Sequence, residues 1–302
     1  DRTHNPEFTI LELYVSYKDY NWMMEMTEQL LEKVSIDSTG NTKVKVGDNT
    51  IDFKAPYERI TIYDAIKKFT GIDISNMDES MLRNTAKDLN IEIDDTMGKG
   101  KLIDSIFGDK CEPNFIQPTF IMDYPKEMSP LTKVHRENND LTERFELIVN
   151  GKEIANAYSE LNDPIDQKER FEKQLELSKK GDQEAGEFID YDFLRALEYG
   201  MPPTSGIGIG IDRLVMLMTD NLSIQEVIFF PQMRPEKKKI SMNESEKLVY
   251  ENISKENQLI GVIKDKIEIS NKAWDKAIKS LRKLELIKVE KIENDIYISK
   301  IN

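Results

Sequence analysis

Cysteine is almost absent: Cys111 stands alone in 302 residues, so the sequence can close no internal disulfide and cannot build a cysteine-based zinc site. Histidine is nearly as scarce, and neither His4 nor His135 has the context of a nucleophile's partner base, which sets thiol catalysis aside. No apolar run approaches the roughly 20 residues that a membrane-spanning helix needs. Residues 1–30 also lack the basic-then-apolar layout of a secretion signal, so a cytoplasmic location is expected. Positive charge is in deficit. With 42 Lys and Arg against 56 Asp and Glu, the net charge is −14 and the pI near 4.9. That excludes a surface devoted as a whole to gripping nucleic acid, but leaves room for a local basic patch. No repeat of fixed period is visible.

What is present is a globular balance, 39% hydrophobic and 32% charged, in a length that allows one large domain or one large and one small. Phe8–Tyr17 alternates like a half-buried strand and begins almost at once, as if in mid-structure. Trp22–Val34 has helical spacing, and Lys43–Val46 with Thr50–Phe53 around Gly47-Asp48-Asn49 reads as a hairpin. Tyr63–Phe69 suggests a short helix, and residues 72–112 an inserted helical module. Strands are expected at Gln117–Met122, Arg144–Val149, Glu153–Tyr158 and Gly206–Ile211, with helices at Pro164–Lys180, Asp192–Glu198 and Arg213–Met218. This order predicts an α+β fold, an antiparallel sheet flanked by helices. Past Pro235 the composition shifts. Residues 237–302, opened by Lys237-Lys238-Lys239, hold 15 Lys and Arg against 11 Asp and Glu. A boundary is placed there, dividing 1–236 from a tail at 237–302. In the tail a helix over Asn271–Leu284 and strands Ile287–Val289 and Ile296–Ile298, around Glu293-Asn294-Asp295, form the ending of a winged-helix unit.

Three segments carry candidate chemistry. In Thr204–Arg213 three glycines share one strand face and isoleucines the other; either something flat lies on the bare face, or a helix packs closely there. Arg213, at the strand-to-helix junction, could cover an aromatic ring or meet a phosphate. Near the start, His4 and Asn5 lie in a loop and Phe8 follows, suited to a phosphate and a purine; Glu12 and Tyr14 share a strand face. Each also has an ordinary structural use. In the third segment, Asn150–Asp163, Asn156, Tyr158 and Glu160 share one face, while Glu153 falls on the other if the strand is regular. Such carboxylates suit Mg²⁺ or an ammonium group, against the alternative of a solvated face.

In order and spacing these segments resemble the class II aminoacyl-tRNA synthetases, and within them the lysine branch. HNPEFTILELY at His4–Tyr14 resembles the end of motif 2, and GIGIGIDR at Gly206–Arg213 resembles motif 3. Between them lie IQPTFIMDYPKEMSPL at Ile116–Leu131, TERFELIVNGKEIANAYSELND at Thr142–Asp163 and ALEYGMPPTSG at Ala196–Gly206. The likeness runs from residue 1 to about Pro235.

The resemblance implies ATP-dependent activation of lysine to lysyl-adenylate and transfer to tRNA, with charge stabilisation in place of a covalent nucleophile. It assigns Arg213 and His4 to catalysis, and ATP to His4, Asn5, Phe8, Glu153, Gly210 and Arg213. Lysine falls to Glu12, Tyr14, Asn156, Tyr158 and Glu160, and Mg²⁺ to Glu153 and Glu160. Tyr158 departs from the family's more usual phenylalanine but keeps the ring. In the family the motif 2 arginine, motif 1 with its homodimer interface and the anticodon-reading β-barrel precede residue 1, so the 302 residues alone are expected to be inactive. Three alternatives stand beside this reading: a class II paralogue that lysylates an elongation factor, an aspartate or asparagine enzyme, and a non-catalytic partner-binding fragment. An acidic ligand would want an arginine where Glu12 and Glu160 stand. The basic tail suggests tRNA or protein docking, or a solvated appendage.

Overall fold

The computed structural model describes residues 2–179, 186, 188–231, 242–292 and 295–301. The Lys237–Lys239 run, the boundary at 236/237, Lys180 and the Glu293-Asn294 turn lie outside the described residues. The chain divides into two compact units, Asp1–Gln232 and Met233–Asn302.

In the first unit the opening strand is β1 (Ile10–Ser16). Helix α1 (Tyr20–Thr39) outruns the expected span at both ends, because Asp19 caps it by accepting from the Trp22 N–H and Gly40 closes it in a left-handed turn. The hairpin β2 (Lys43–Val46) and β3 (Asn49–Asp52) follows. Strand β4 (Glu58–Thr61) has no sequence sign, since four residues with two charges carry no alternation. Helices α2 (Ile62–Thr70), α3 (Glu79–Asp88) and α4 (Lys99–Lys110) come next, then β5 (Thr119–Met122), β6 (Arg144–Val149) and β7 (Lys152–Ser159). Helices α5 (Pro164–Lys179) and α6 (Tyr191–Glu198), strand β8 (Thr204–Gly210) and helix α7 (Ile211–Met218) complete the unit.

Six strands form one sheet in the order β1-β8-β7-β6-β5-β4. The pairings are antiparallel as expected except β4 with β5, which is parallel. Parallel neighbours need a long crossover, and α2, α3 and α4 supply it. The helical stretch read as an insertion is therefore the connection that lets β4 join the sheet.

Alternation gives the sheet two unlike faces. Phe145, Leu147, Ala157, Ile207 and Ile209 point to one face and pack with Met23, Met24 and Leu31 of α1 and with the β2–β3 hairpin. On the opposite face Ile121 and Ile148 pack under α2, α3 and α4 with Ile66, Leu82 and Ile106. That second core covers the β4–β6 end, leaving the β7-β8-β1 end as an open floor.

The second unit contains α8 (Glu244–Glu251), β9 (Gln258–Leu259), α9 (Ile260–Lys266), α10 (Asn271–Lys283), β10 (Ile287–Ile292) and β11 (Asp295–Lys300). Its three-stranded sheet runs β10-β11-β9, and its core is built from Val249, Ile263, Trp274, Leu281 and Ile298. Among the described residues no helix is long and apolar enough to cross a membrane.

Candidate active site

The open floor is made of backbone. Gly206, Gly208 and Gly210 of β8 stand opposite Tyr14, Glu12 and Ile10 of β1 on one side; Tyr158 and Asn156 of β7 face Gly206 and Gly208 on the other. Directly paired residues in an antiparallel sheet share a face. A glycine trough thus runs between two walls of polar and aromatic side chains.

The three glycines do different work. A Cβ on Gly206 would collide with Glu160 Oε1 and stand 2.8 Å from the Tyr14 ring, so its bare backbone houses the protein's own side chains. On Gly208 a Cβ would come within 3.1 Å of the Ile10 side chain. At Gly210 the nearest atoms are 3.7 Å away or more, and that end of the floor lies in a cavity of about 300 Å³.

At the Gly206 end two carboxylates, Glu12 and Glu160, meet the rings of Tyr14 and Tyr158. Glu160 is half-buried, but its Oε1 is shielded from solvent and has no hydrogen-bond partner among the described residues. Burial alone pushes its carboxyl up to about 7. A buried acceptor with nothing to accept is costly unless a ligand supplies the donor. Tyr14 leans over it: its hydroxyl donates to Glu12 Oε2 at 3.4 Å, and burial with the charges of Glu12 and Glu160 raises its pKa. The Tyr158 phenol is pushed up to about 12, by burial first and Glu160 next. Glu12, Tyr14, Tyr158 and Glu160 therefore converge as the sequence grouped them.

At the other end the cavity is lined by His4, Asn5, Phe8, Glu153, Gly210 and Arg213, among others. Arg213, in the first turn of α7, donates to the Glu153 carbonyl at 2.6 Å and to His4 Nε2 at 3.3 Å. For that second bond Nδ1 must carry the imidazole proton, and it lies 3.1 Å from Thr3 Oγ1. Phe8 is exposed on the cavity wall. The β1 end is tied to α7 by the Thr9 N–H, which donates to Asp212 Oδ2 at 2.6 Å. Asn5 donates to the Glu7 carbonyl at 2.6 Å and so shapes the loop that carries His4.

Glu153 does not lie on the far face. A β-bulge shifts the β6–β7 register between Leu147 and Ile148, so that Asn156 pairs with Glu146 and Glu153 with Ile148. Glu146 and Ile148 are two apart on a regular strand, which brings Glu153 round to the face of Asn156. The joint assignment of a metal ion to Glu153 and Glu160 needs correction. Seven strand residues separate them by roughly 20 Å, far beyond the reach of one ion. The acid beside Glu153 is Glu146, whose carboxyl is raised by burial, opposed by Arg144 and raised further by Glu153.

Sequence reasoning missed Arg144 and Glu146. Arg144 is half-buried, donates to Glu146 Oε1 at 2.5 Å and to Asn156 Oδ1 at 3.2 Å, and lies over the Tyr124 ring at 4.5 Å. Asn156 Nδ2 in turn donates to Glu146 at 3.3 Å, so both ends of its amide are held. The sequence signal was weak: alternation puts Arg144 and Glu146 on the face opposite Phe145 and Leu147, where charges read as an ordinary solvated face. His135 stands 3.8 Å from Asp123, away from the trough, and Cys111 is buried with its thiol pushed up to about 12.

Comparison with known proteins adds three relatives and a family. Residues 1–234 match the family model of class II tRNA synthetases (D, K and N). The chain is 63% identical over 292 residues to a lysine–tRNA ligase of Christiangramia forsetii, covering 96% of this chain and 51% of that protein. It is 70% identical over 237 residues to the Porphyromonas gingivalis enzyme of that name, covering 78% of this chain and 41% of the relative. The Azobacteroides pseudotrichonymphae enzyme is 68% identical over the same length, with 47% of it covered. The chain thus spans about half the length of the curated relatives it matches.

Proposed function

This chain belongs to the class II tRNA synthetases of the D, K and N group, and from that premise we propose that it forms the lysine- and ATP-binding part of a lysine–tRNA ligase. The observation that carries the choice of lysine is Glu160. A carboxyl with a shielded, unpartnered oxygen, raised by burial to about 7, backed by Glu12 and walled by two tyrosines, suits an ε-ammonium on an apolar stem. An aspartate or asparagine side chain brings no cation to satisfy it. The three relatives are all lysine–tRNA ligases, which favours tRNA over an elongation factor as the acceptor.

In this reading adenine lies between Phe8 and the Arg213 guanidinium, along the open floor at Gly210. Arg213, on α7, and His4, whose loop Asn5 holds, face the phosphates. Glu12, Tyr14, Asn156, Tyr158 and Glu160 seat lysine at the Gly206 end. The lysine carboxylate attacks the α-phosphate, pyrophosphate leaves, and the terminal-ribose hydroxyl at the 3′ end of tRNA then attacks the lysyl carbonyl of the adenylate, releasing AMP. The chain's residues act by holding these groups in line rather than by covalent attack. Arg213, fixed by the Glu153 carbonyl, is preset to meet charge that develops on the phosphates.

Among the described residues no cluster of three or more His, Cys, Asp or Glu is arranged to hold a metal by itself. The pair Glu146 and Glu153 nonetheless fits a Mg²⁺ ion that completes its shell with nucleotide phosphates and water. When bound, such an ion would neutralise phosphate charge. We assign it to Glu146 and Glu153, leaving Glu160 to lysine. Family membership extends the reading to a homodimer working in the cytoplasm, where tRNA is charged.

The test is amino-acid-dependent exchange of pyrophosphate into ATP, measured on the full-length protein. Exchange is expected with lysine and not with aspartate or asparagine; dependence on either of the latter would overturn the assignment.

A further inference from the structure

We propose that the second unit is an RNA-docking winged helix that grips the phosphate backbone of tRNA with the outer face of α10. The sequence of elements, a helix, a short strand, two helices and a hairpin whose strands close a three-stranded sheet, is that of a winged helix-turn-helix, with α10 as its third helix.

Helix α10 has two stripes. Trp274, Ala277 and Leu281 are buried. Lys272, Lys276, Lys279 and Lys283 are exposed and recur every three or four residues, half a turn from the buried stripe at 100° per residue. Asp275 is the one acid on the helix and stands off that stripe. Asp275 and Arg282 border a shallow groove beside it, floored by Ile260, Trp274 and Ile278 and rimmed by Lys279 and Lys283, three cations against one acid. Lys276 also faces Glu246 of α8, whose carboxyl it helps to lower after a backbone hydrogen bond from Asn243. Lys272, Lys279, Arg282 and Lys283 are in no ion pair among the described residues.

Charge complementarity selects the partner. Residues 237–302 carry a net +4, and the remaining 236 residues, with 27 Lys and Arg against 45 Asp and Glu, carry −18. A polyanion is repelled by the acidic part and needs a basic foothold, which four unpaired cations on one rigid helix provide. The 292-residue alignment takes in most of the second unit, while the other two span 237 residues, little more than the length of the first unit. The family match ends at residue 234, so in this proposal the unit adds affinity for RNA and takes no part in the chemistry. Naming tRNA as the RNA rests on the proposed function; the affinity of α10 for a phosphate backbone does not.

The test uses the full-length protein and a labelled tRNA(Lys) transcript, with anisotropy titrations over a range of salt. Lys272→Gln/Lys279→Gln/Arg282→Gln/Lys283→Gln keeps helix-forming residues and removes four charges. The expected result is binding weaker by on the order of tenfold at about 0.1 M salt, with a shallower salt slope, by about 0.7–0.9 for each phosphate no longer neutralised. Lys255→Gln/Lys264→Gln, elsewhere on the unit, is expected to leave the slope nearly unchanged, and pyrophosphate exchange is expected to be intact in both. An unaltered affinity and slope in the fourfold variant overturns the proposal, and so does an equal loss per charge in the control pair. If exchange fails with lysine while the fourfold variant still loses RNA affinity, the proposed function falls and the docking surface stands.

Discussion

At the residue scale, Glu160 concentrates the chemistry of the site. Glu160→Gln keeps the shape and removes the charge that an ammonium needs. Lysine affinity is expected to fall on the order of 100-fold by calorimetry, with ATP affinity little changed. Its titration gives a second expectation. Because burial raises the carboxyl from 4.5 to about 7, the folded protein holds a proton that the unfolded chain has lost between those values. Its contribution to stability is full below about 4.5 and is lost as pH rises through about 7. Lysine favours the ionised form, so near pH 6.5 binding expels a proton. The measured enthalpy should then vary with the buffer's ionisation enthalpy; it should cease to do so near pH 8.5, and Glu160→Gln should show no such dependence at either pH. Gly206→Ala is the complementary change. Its Cβ pushes Glu160 and Tyr14 apart, and lysine affinity is expected to drop about 10–100-fold while the nucleotide end at Gly210 keeps its affinity, measured by separate titrations.

At the element scale, the β6–β7 hairpin sets the geometry of the site. Asn150 and Gly151 link the strands in two residues with φ of +51° and +68°, the hand that matches strand twist. A Cβ at Gly151 would also stand 3.1 Å from Pro113 Cα. Gly151→Ala is expected to cost about 1–3 kcal/mol of stability in urea unfolding, through both strain and crowding. Just beyond the turn, the bulge at Ile154 carries Glu153 to the face of Glu146. The sequence showed each strand but not this irregularity: alternation assumes a regular pleat, and one inserted residue reverses the parity of everything before it. The α2–α4 crossover was legible as helix but not as connection, because β4 is too short to announce its parallel partner.

At the scale of the whole molecule, the two units have separate cores, and stability and substrate binding should respond to them separately. Leu281→Ala in the second core is expected to cost about 2–5 kcal/mol in the unfolding of that unit. The enthalpy of lysine binding, read on the same protein, should stay as it was. What the sequence determined by itself was whatever depends on local order: the strand and helix periodicities, the glycine face of β8, the sharing of one face by Glu12 and Tyr14 and by Asn156, Tyr158 and Glu160, and the family. Only the tertiary structure decided which residues meet across strands. Register brought Tyr14, Gly206 and Tyr158 into one row, and the bulge paired Glu153 with the neighbourhood of Glu146 and Arg144. The long helical connection roofed half a sheet face and left the other half open. Those outcomes turn on pairing between residues distant in the chain, and side-chain period along a single strand contains no information about its neighbour.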